Sequence, residues 1–285
     1  DILSTQLASH DTLAKMPTIC SLLALAALQR VAAFTAGVVN APSPSFALKT
    51  SPFRAGAVNC IAEPTPTSGW DMKEITPDGS LVQRIQGKTR KTWKFNDFSK
   101  DRVQVAVTSE GRPVNADIQL WLGPDWTPFT MKAYSEDGKL RPIQTLVGTR
   151  NKAAMIEVRN VGEYEFPFNA ASNYAKGDMA LVPQEIPAST TSVRVDGGAL
   201  RSFPLDPSAQ QLEVVLNTDG RQLNARIELL NAPNNPKQTF ECFTNNGQLN
   251  SLCVCFNTPD VGTTVRIVNL ATVEFPCYIH FNEVF

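Results

Sequence analysis

Apolar residues alternate with polar or small ones in short runs: Val103, Val105 and Val107; then Ile118, Leu120 and Leu122; then Ile156 and Val158. A period of two buries one face of an extended segment, so each run predicts a half-buried strand. Turn signals separate the runs. Ser109-Glu110-Gly111 supplies the acidic-Gly pair of a tight hairpin, and further turns fall at Gly123-Pro124-Asp125 and Glu136-Asp137-Gly138. No window of helical length shows an apolar helical period between these signals.

The pattern occurs twice. Val103–Ala171 aligns on Leu212–His280 without a gap at an offset of about 109 residues, with about sixteen of some seventy positions identical. Leu212, Val214 and Leu216 repeat the first run, Ile227 and Leu229 the second, and Val265 and Ile267 the third. Gly111-Arg112 faces Gly220-Arg221, Asn115-Ala116 faces Asn224-Ala225, and Gly138 faces Gly247. Asn160 faces Asn269, and Glu165-Phe166-Pro167 faces Glu274-Phe275-Pro276, with a last strand expected around Phe166 and Phe275.

The units begin near Leu81 and Thr191. Ser172–Thr190 contains Pro183 and Pro187, lies outside the match and reads as a linker with a cut near Ile186. The predicted fold is all-β: two tandem pseudo-symmetric antiparallel β-sandwich domains, residues 81–186 and 187–285, after a disordered presequence. Residues 61–80 start Pro- and Thr-rich and read as an extended arm with Trp70 as its anchor.

Residues 1–15 carry no usable pattern and are read as translated upstream sequence, or an artefact, before a start at Met16. From Met16 an apolar stretch, Ile19–Leu28, leads to Val31-Ala32-Ala33, the form of a signal peptide and its small-residue cleavage site. Phe34–Cys60 is rich in Ser, Ala and Pro, carries Lys49 and Arg54 and contains no Asp or Glu. That composition marks an organelle transit peptide, so residues 16–60 predict a bipartite presequence; a plain secretory signal followed by a linker is the alternative.

Composition narrows the chemistry. A formal net charge of −1 offers no basic stripe for nucleic acid, and the mature chain has no stretch that predicts membrane insertion. Of the two histidines, His10 and His280, only His280 lies in the predicted mature chain, which removes most histidine catalysis and most zinc sites. Phosphate-binding glycine loops, a nucleophile elbow and a zinc-binding helix motif are absent from the sequence. No catalytic residue, metal or cofactor is assigned.

Cys242, Cys253, Cys255 and Cys277 all lie in the second copy, where the first has Ala133, Gln144, Leu146 and Phe168. They read as reduced, small hydrophobic residues. Among shared positions, glycines read as turns, apolar residues as core, and Asn115, Asn224, Asn160 and Asn269 as partners of buried backbone groups near turns. Arg112, Arg221, Glu165 and Glu274 remain as candidates, for either an ion pair within each repeat or a repeated assembly contact. Trp70 and the terminal apolar residues Ile279, Phe281 and Phe285 join them. The terminal strand is expected to dock on a neighbouring subunit or on the Trp70 arm.

The tandem GRP-x-NA and GR-x-LNARIEL segments, the run LWLGPDWTPFTMKAYSEDGKLRP, the PNN run at Pro233, the paired EFP motifs and the presequence with Phe34 at its junction together resemble the diatom pyrenoid shell proteins. The resemblance covers about residues 80 to 281. It implies two pseudo-symmetric β-domains that assemble laterally into a sheet enclosing the Rubisco matrix at the pyrenoid periphery of the chloroplast stroma, supporting CO2 concentration. It also implies that the partners are further copies, and paralogues, with Rubisco adjacent. The competing expectation is a carbohydrate- or peptide-binding module using Trp121 and Trp126 as a stacking platform.

Overall fold

A computed structural model describes residues 70–175, 192–232 and 234–285. The presequence, the arm before Trp70, the cut near Ile186 and Pro233 lie outside the described residues. A one-turn helix, α1 (Met72–Ile75), opens the described chain where an extended arm is expected, and the Asp71 side chain caps it by accepting from the Lys73 amide.

The first repeat then forms β1 (Gln83–Ile85), β2 (Arg90–Phe95), β3 (Arg102–Thr108), β4 (Val114–Leu122), β5 (Phe129–Ser135), β6 (Ile143–Gly148), β7 (Ala154–Asn160) and β8 (Phe168–Tyr174). The second forms β9 (Val193–Val195), β10 (Leu200–Pro204), β11 (Gln211–Asn217), β12 (Leu223–Asn231), β13 (Pro236–Thr244), β14 (Leu252–Asn257), β15 (Thr263–Asn269) and β16 (Cys277–Val284).

The strands make two antiparallel sheets of eight. Sheet A runs β1-β8-β3-β6-β14-β11-β16-β9, and sheet B runs β10-β15-β12-β13-β5-β4-β7-β2. Each sheet therefore passes through both repeats, joined at β6–β14 in sheet A and at β5–β13 in sheet B, so the repeats share one two-sheet body where two tandem sandwich domains, 81–186 and 187–285, are expected. One continuous apolar cluster fills the space between the sheets. It takes Ile118, Leu120, Phe129 and Phe168 from the first repeat and Ile227, Leu229, Phe240 and Phe256 from the second. The Phe240 and Phe256 rings meet edge to face at 5.1 Å and bridge the two sheets beside the seam.

The strand register reveals the symmetry of the seam. Lys132 pairs with Glu241 and Thr145 pairs with Val254, and in each case the partner is the equivalent residue of the other repeat. Flanking pairs exchange equivalents: Met131 faces Cys242 while Ala133 faces Phe240. A quasi-twofold axis thus passes through both sheets at these two pairs. The strands at the far ends also correspond, β1 to β9 in sheet A and β2 to β10 in sheet B.

Two local expectations change. Ser109-Glu110-Gly111 does not close a hairpin, because β3 pairs with β6 and β8 while β4 pairs with β5 and β7. The chain instead arches from one sheet to the other, so the apolar faces of β3 and β4 oppose each other across the core. Gly111 and Gly220 supply the left-handed φ of the arches, +81° and +94°. Gly138 and Gly247 are needed for space: a Cβ on Gly138 would stand 2.5 Å from Val114 Cγ2 and 2.6 Å from Ser109 Oγ. The last strand also starts later than expected, at Phe168 and Cys277, leaving Phe166 and Phe275 half-buried in the preceding turns.

Candidate assembly surfaces

The shared arginines and glutamates do come together, but through the main chain. Arg112 Nη1 donates to the Glu165 carbonyl at 2.6 Å, and Arg221 Nη1 donates to the Glu274 carbonyl at 3.0 Å. Each arginine ties its sheet-crossing arch to the EFP turn, and both glutamate side chains face solvent. Arg221 also lies over the Phe275 ring, 5.7 Å from its centroid. A small polar notch of about 60 Å³ opens beside Arg112, lined by Arg84, Glu110 and Asn169.

The firmer tie is the buried asparagine. Asn160 Nδ2 donates to the carbonyls of Ile85 (3.1 Å) and Phe166 (2.9 Å), and its Oδ1 accepts from the Gly162 amide at 2.9 Å. Asn269 repeats this with Val195 (3.1 Å), Phe275 (2.9 Å) and the Ala271 amide (3.0 Å). One side chain in each repeat thus satisfies three backbone groups on an edge strand and a turn. The side chain is where the sequence pattern places it, serving the fold.

Trp70 is an anchor on its own chain. It is 6 % exposed and packs with Leu146, Val215, Cys253 and Cys255 on the outer face of sheet A, directly over the seam. Ile75 follows, buried against Ala106 and Ala171. Trp70 therefore covers the quasi-twofold axis on this side of the body. All four described cysteines are buried thiols outside any disulfide, Cys242 and Cys277 in the core between the sheets and Cys253 and Cys255 beneath Trp70. Loss of hydration pushes every one of them up, Cys277 to about 11. A protonated, enclosed thiol is a poor nucleophile and a poor metal ligand.

The expected docking of the terminal strand on a neighbour or on the arm gives way to pairing within the chain. β16 lies between β11 and β9, Ile279 is fully buried in the core, and Phe281 stacks on Phe203 at 4.6 Å. Only Phe285, 68 % exposed, stays available to a partner. His280 lies on the same strand, and partial burial lowers its pKa. Among the described residues no three His, Cys, Asp or Glu side chains gather as a metal site would require, and no helix is long and apolar enough to cross a membrane.

Both ends of the body are guarded. The sheet A edges, β1 and β9, are three residues long. The sheet B edges carry Arg90, Lys91 and Lys94 on β2 and Arg201 and Pro204 on β10. Short, charged or proline-bearing edges resist strand addition.

The outer face of sheet B carries a rung across all eight strands that is charged on six of them. In register it reads Arg90, Arg159, Asp117, Lys132, Glu241, Arg226, Val268, Leu200. Arg90 and Arg159 also clamp Glu157 at 3.2 and 3.1 Å, and Arg266 clamps Glu228 at 2.5 Å. Arg226 Nε lies 3.0 Å from Glu228 Oε1, close enough for an ion pair but outside hydrogen-bond geometry. Lys132 and Glu241, on the axis, take part in no ion pair among the described residues. Burial raises the Asp117 carboxyl above its usual range, opposed by Lys132 and Arg159. An open depression of about 350 Å³ lies here, bordered by Asp117, Thr130, Lys132, Glu241 and Phe243. The equivalent aromatics Tyr134 and Phe243 flank the axis, 38 % and 46 % exposed. Trp126 of the other aromatic candidate pair has the Arg150 guanidinium 5.1 Å from its ring centroid.

No curated protein matches the sequence significantly. Among solved structures, the exported protein XepA of PBSX aligns at 8% identity over 70% of this chain and 84% of its own, with a TM-score of 0.23. The VP2 subviral particle of infectious bursal disease virus aligns at 10% identity over 74% of this chain and 84% of its own, with a TM-score of 0.09. Superpositions this poor carry no structural inference. The family model of the diatom pyrenoid shell protein matches residues 76–283, which takes in α1's cap and both repeats. The chain belongs to the diatom pyrenoid shell protein family.

Proposed function

We propose that this chain is a non-catalytic building block that self-assembles into the protein sheet around the Rubisco matrix of the pyrenoid, at its periphery in the chloroplast stroma, and so supports CO2 concentration. The observation that carries the reading is the family match over 76–283, because it spans the whole quasi-twofold body and not one module of it. The physical features agree. The shared Asn160, Asn269, Arg112 and Arg221 are spent on internal ties, the described thiols are enclosed, and the depression over the seam is an open feature of the outer sheet face. The acid-free presequence at residues 16–60 supports the plastid destination. Electron microscopy of the purified protein tests the proposal: ordered sheets or tubes are expected. A species that stays monomeric at high concentration overturns it.

A further inference from the structure

The rung across sheet B is antisymmetric about the quasi-twofold axis. Equivalent residues carry opposite signs, Lys132 against Glu241 and Asp117 against Arg226, and farther out the cations Arg159 and Arg90 match the aliphatic Val268 and Leu200. A surface with this property is complementary to itself when turned over about an axis parallel to its strands. That operation lays the rung antiparallel on a second copy of itself. Lys132 then meets Glu241 of the second copy, Asp117 meets Arg226, and each outer arginine meets an aliphatic side chain. No like charges oppose each other along the rung.

The neighbouring rows obey the same operation in shape. Tyr134 is paired in register with Thr239, and Phe243 with Thr130. Turning the face over sets Tyr134 on the second copy's Thr239 and Phe243 on its Thr130, so each protruding ring meets a small side chain on either side of the axis. Charges set the register of such a contact, and the aromatics provide its apolar area. Lys132, Glu241 and Asp117, which take part in no ion pair among the described residues, each acquire one.

We propose that the outer face of sheet B is a homotypic docking surface, on which a second copy packs face to face about a twofold axis parallel to the strands. The other surfaces fit less well: the Trp70 arm lies over sheet A, and the edge strands are short or charged. This inference rests on the self-assembly reading and names one pairwise contact within it; a twofold contact closes on two copies, and extension into a sheet uses further contacts.

The test uses two charge reversals in the full chain, Lys132→Glu and Glu241→Lys. Each variant alone presents two like charges at the axis to its own copy, so self-association measured by sedimentation velocity should weaken at least about tenfold for close opposed charges. An equimolar mixture of the two variants restores opposite charges at both contacts and should recover the association of the unaltered protein. The mixture separates docking from folding, because a variant that is merely destabilised is not rescued by its counterpart. Lys132→Gln and Glu241→Gln, milder changes, should weaken association in the same direction.

The inference is overturned if the single variants associate as the unaltered chain does, or if the mixture fails to recover. Ordered sheets formed by the unaltered chain and equally by both variants would leave the shell function standing and remove this face from it. An unaltered chain that neither dimerises nor forms sheets removes both.

Discussion

Replacing Trp70 with alanine should uncover the seam of sheet A and expose two of the four described thiols while leaving the other two enclosed. The indole is 6 % exposed, and a buried tryptophan removes about 200 Å² from water. At about 25 cal/mol per Å² that is about 5 kcal/mol as an upper bound, because the free arm keeps part of its surface covered. Ile75 still holds the arm against Ala106 and Ala171. A local opening made easier by about 3 kcal/mol corresponds to a rate increase on the order of 100-fold for any reaction that needs the open arm. The assay is alkylation by iodoacetamide near neutral pH, followed peptide by peptide in a mass spectrometer. Cys253 and Cys255 lie under Trp70 and should accelerate together; Cys242 and Cys277 lie between the sheets and should keep the slow rate set by global unfolding. Equal acceleration at all four cysteines would show that the substitution unfolds the body, and no acceleration would show that Trp70 does not cover the seam. Either result refutes the assignment of the arm as a removable cover.

Two further outcomes follow from the same contacts. Asn160→Ala removes three hydrogen bonds to backbone groups that are otherwise left unsatisfied, a loss of about 3 kcal/mol. For a body of this size that lowers the midpoint of thermal unfolding by roughly 6–12 °C; Asn269→Ala should match it, and a shift below roughly 2 °C for either would contradict the buried staple. Alkali should destabilise the fold: the Cys277 thiol ionises at 9.0 when unfolded and at about 11 when folded, so its contribution is fully present below 9.0 and is lost as pH rises toward about 11. That amounts to roughly 3 kcal/mol for this thiol, on top of the losses from Cys242, Cys253 and Cys255, which burial also raises, and is read as the fall in urea midpoint across that window; Cys277→Ala should make the fall smaller by its share, and an equal fall in the variant would assign the effect elsewhere.

How legible the fold is depends on how many faces of each strand are covered. β4 alternates cleanly between buried and more open positions because the outer face of sheet B is uncovered, and Ile118, Leu120 and Leu122 announce it. β6 and β14 are buried on almost every residue, with core on one side and the Trp70 arm or the seam's own neighbours on the other. The period of two vanishes there, and the strands that join the repeats in sheet A escape a reading based on alternation. The arch at Gly111 illustrates a second limit. An acidic-Gly turn between two alternating runs looks the same whether the strands share hydrogen bonds or face each other across a core, since only the partner strands, far away in sequence, decide. Among site residues, the spacing brings Arg112 to Glu165 and Arg221 to Glu274, but the atom contacted is a carbonyl oxygen, which side-chain identity cannot reveal. The charge antisymmetry was present in the aligned repeats from the start. Only the register of β5 on β13, which puts Lys132 beside Glu241, gives it meaning.

That antisymmetry also offers a physical reason for joining two copies in one chain. A body made from two identical repeats about a true twofold axis would set the same residue against itself at the axis, so a lysine at position 132 would face a lysine. Like charges directly opposed across two antiparallel strands destabilise the pairing. Once the repeats share a chain they can diverge, and the divergence here is selective: Ile118 and Ile227, or Leu120 and Leu229, stay identical toward the core, while Asp117 and Arg226, Lys132 and Glu241, and Glu157 and Arg266 invert on the outside. The interior keeps the symmetry that lets both sheets run unbroken through the seam. The exterior loses it, and a face without internal symmetry can prescribe how a second copy must lie on it, which a symmetric face, offering two equivalent orientations, cannot.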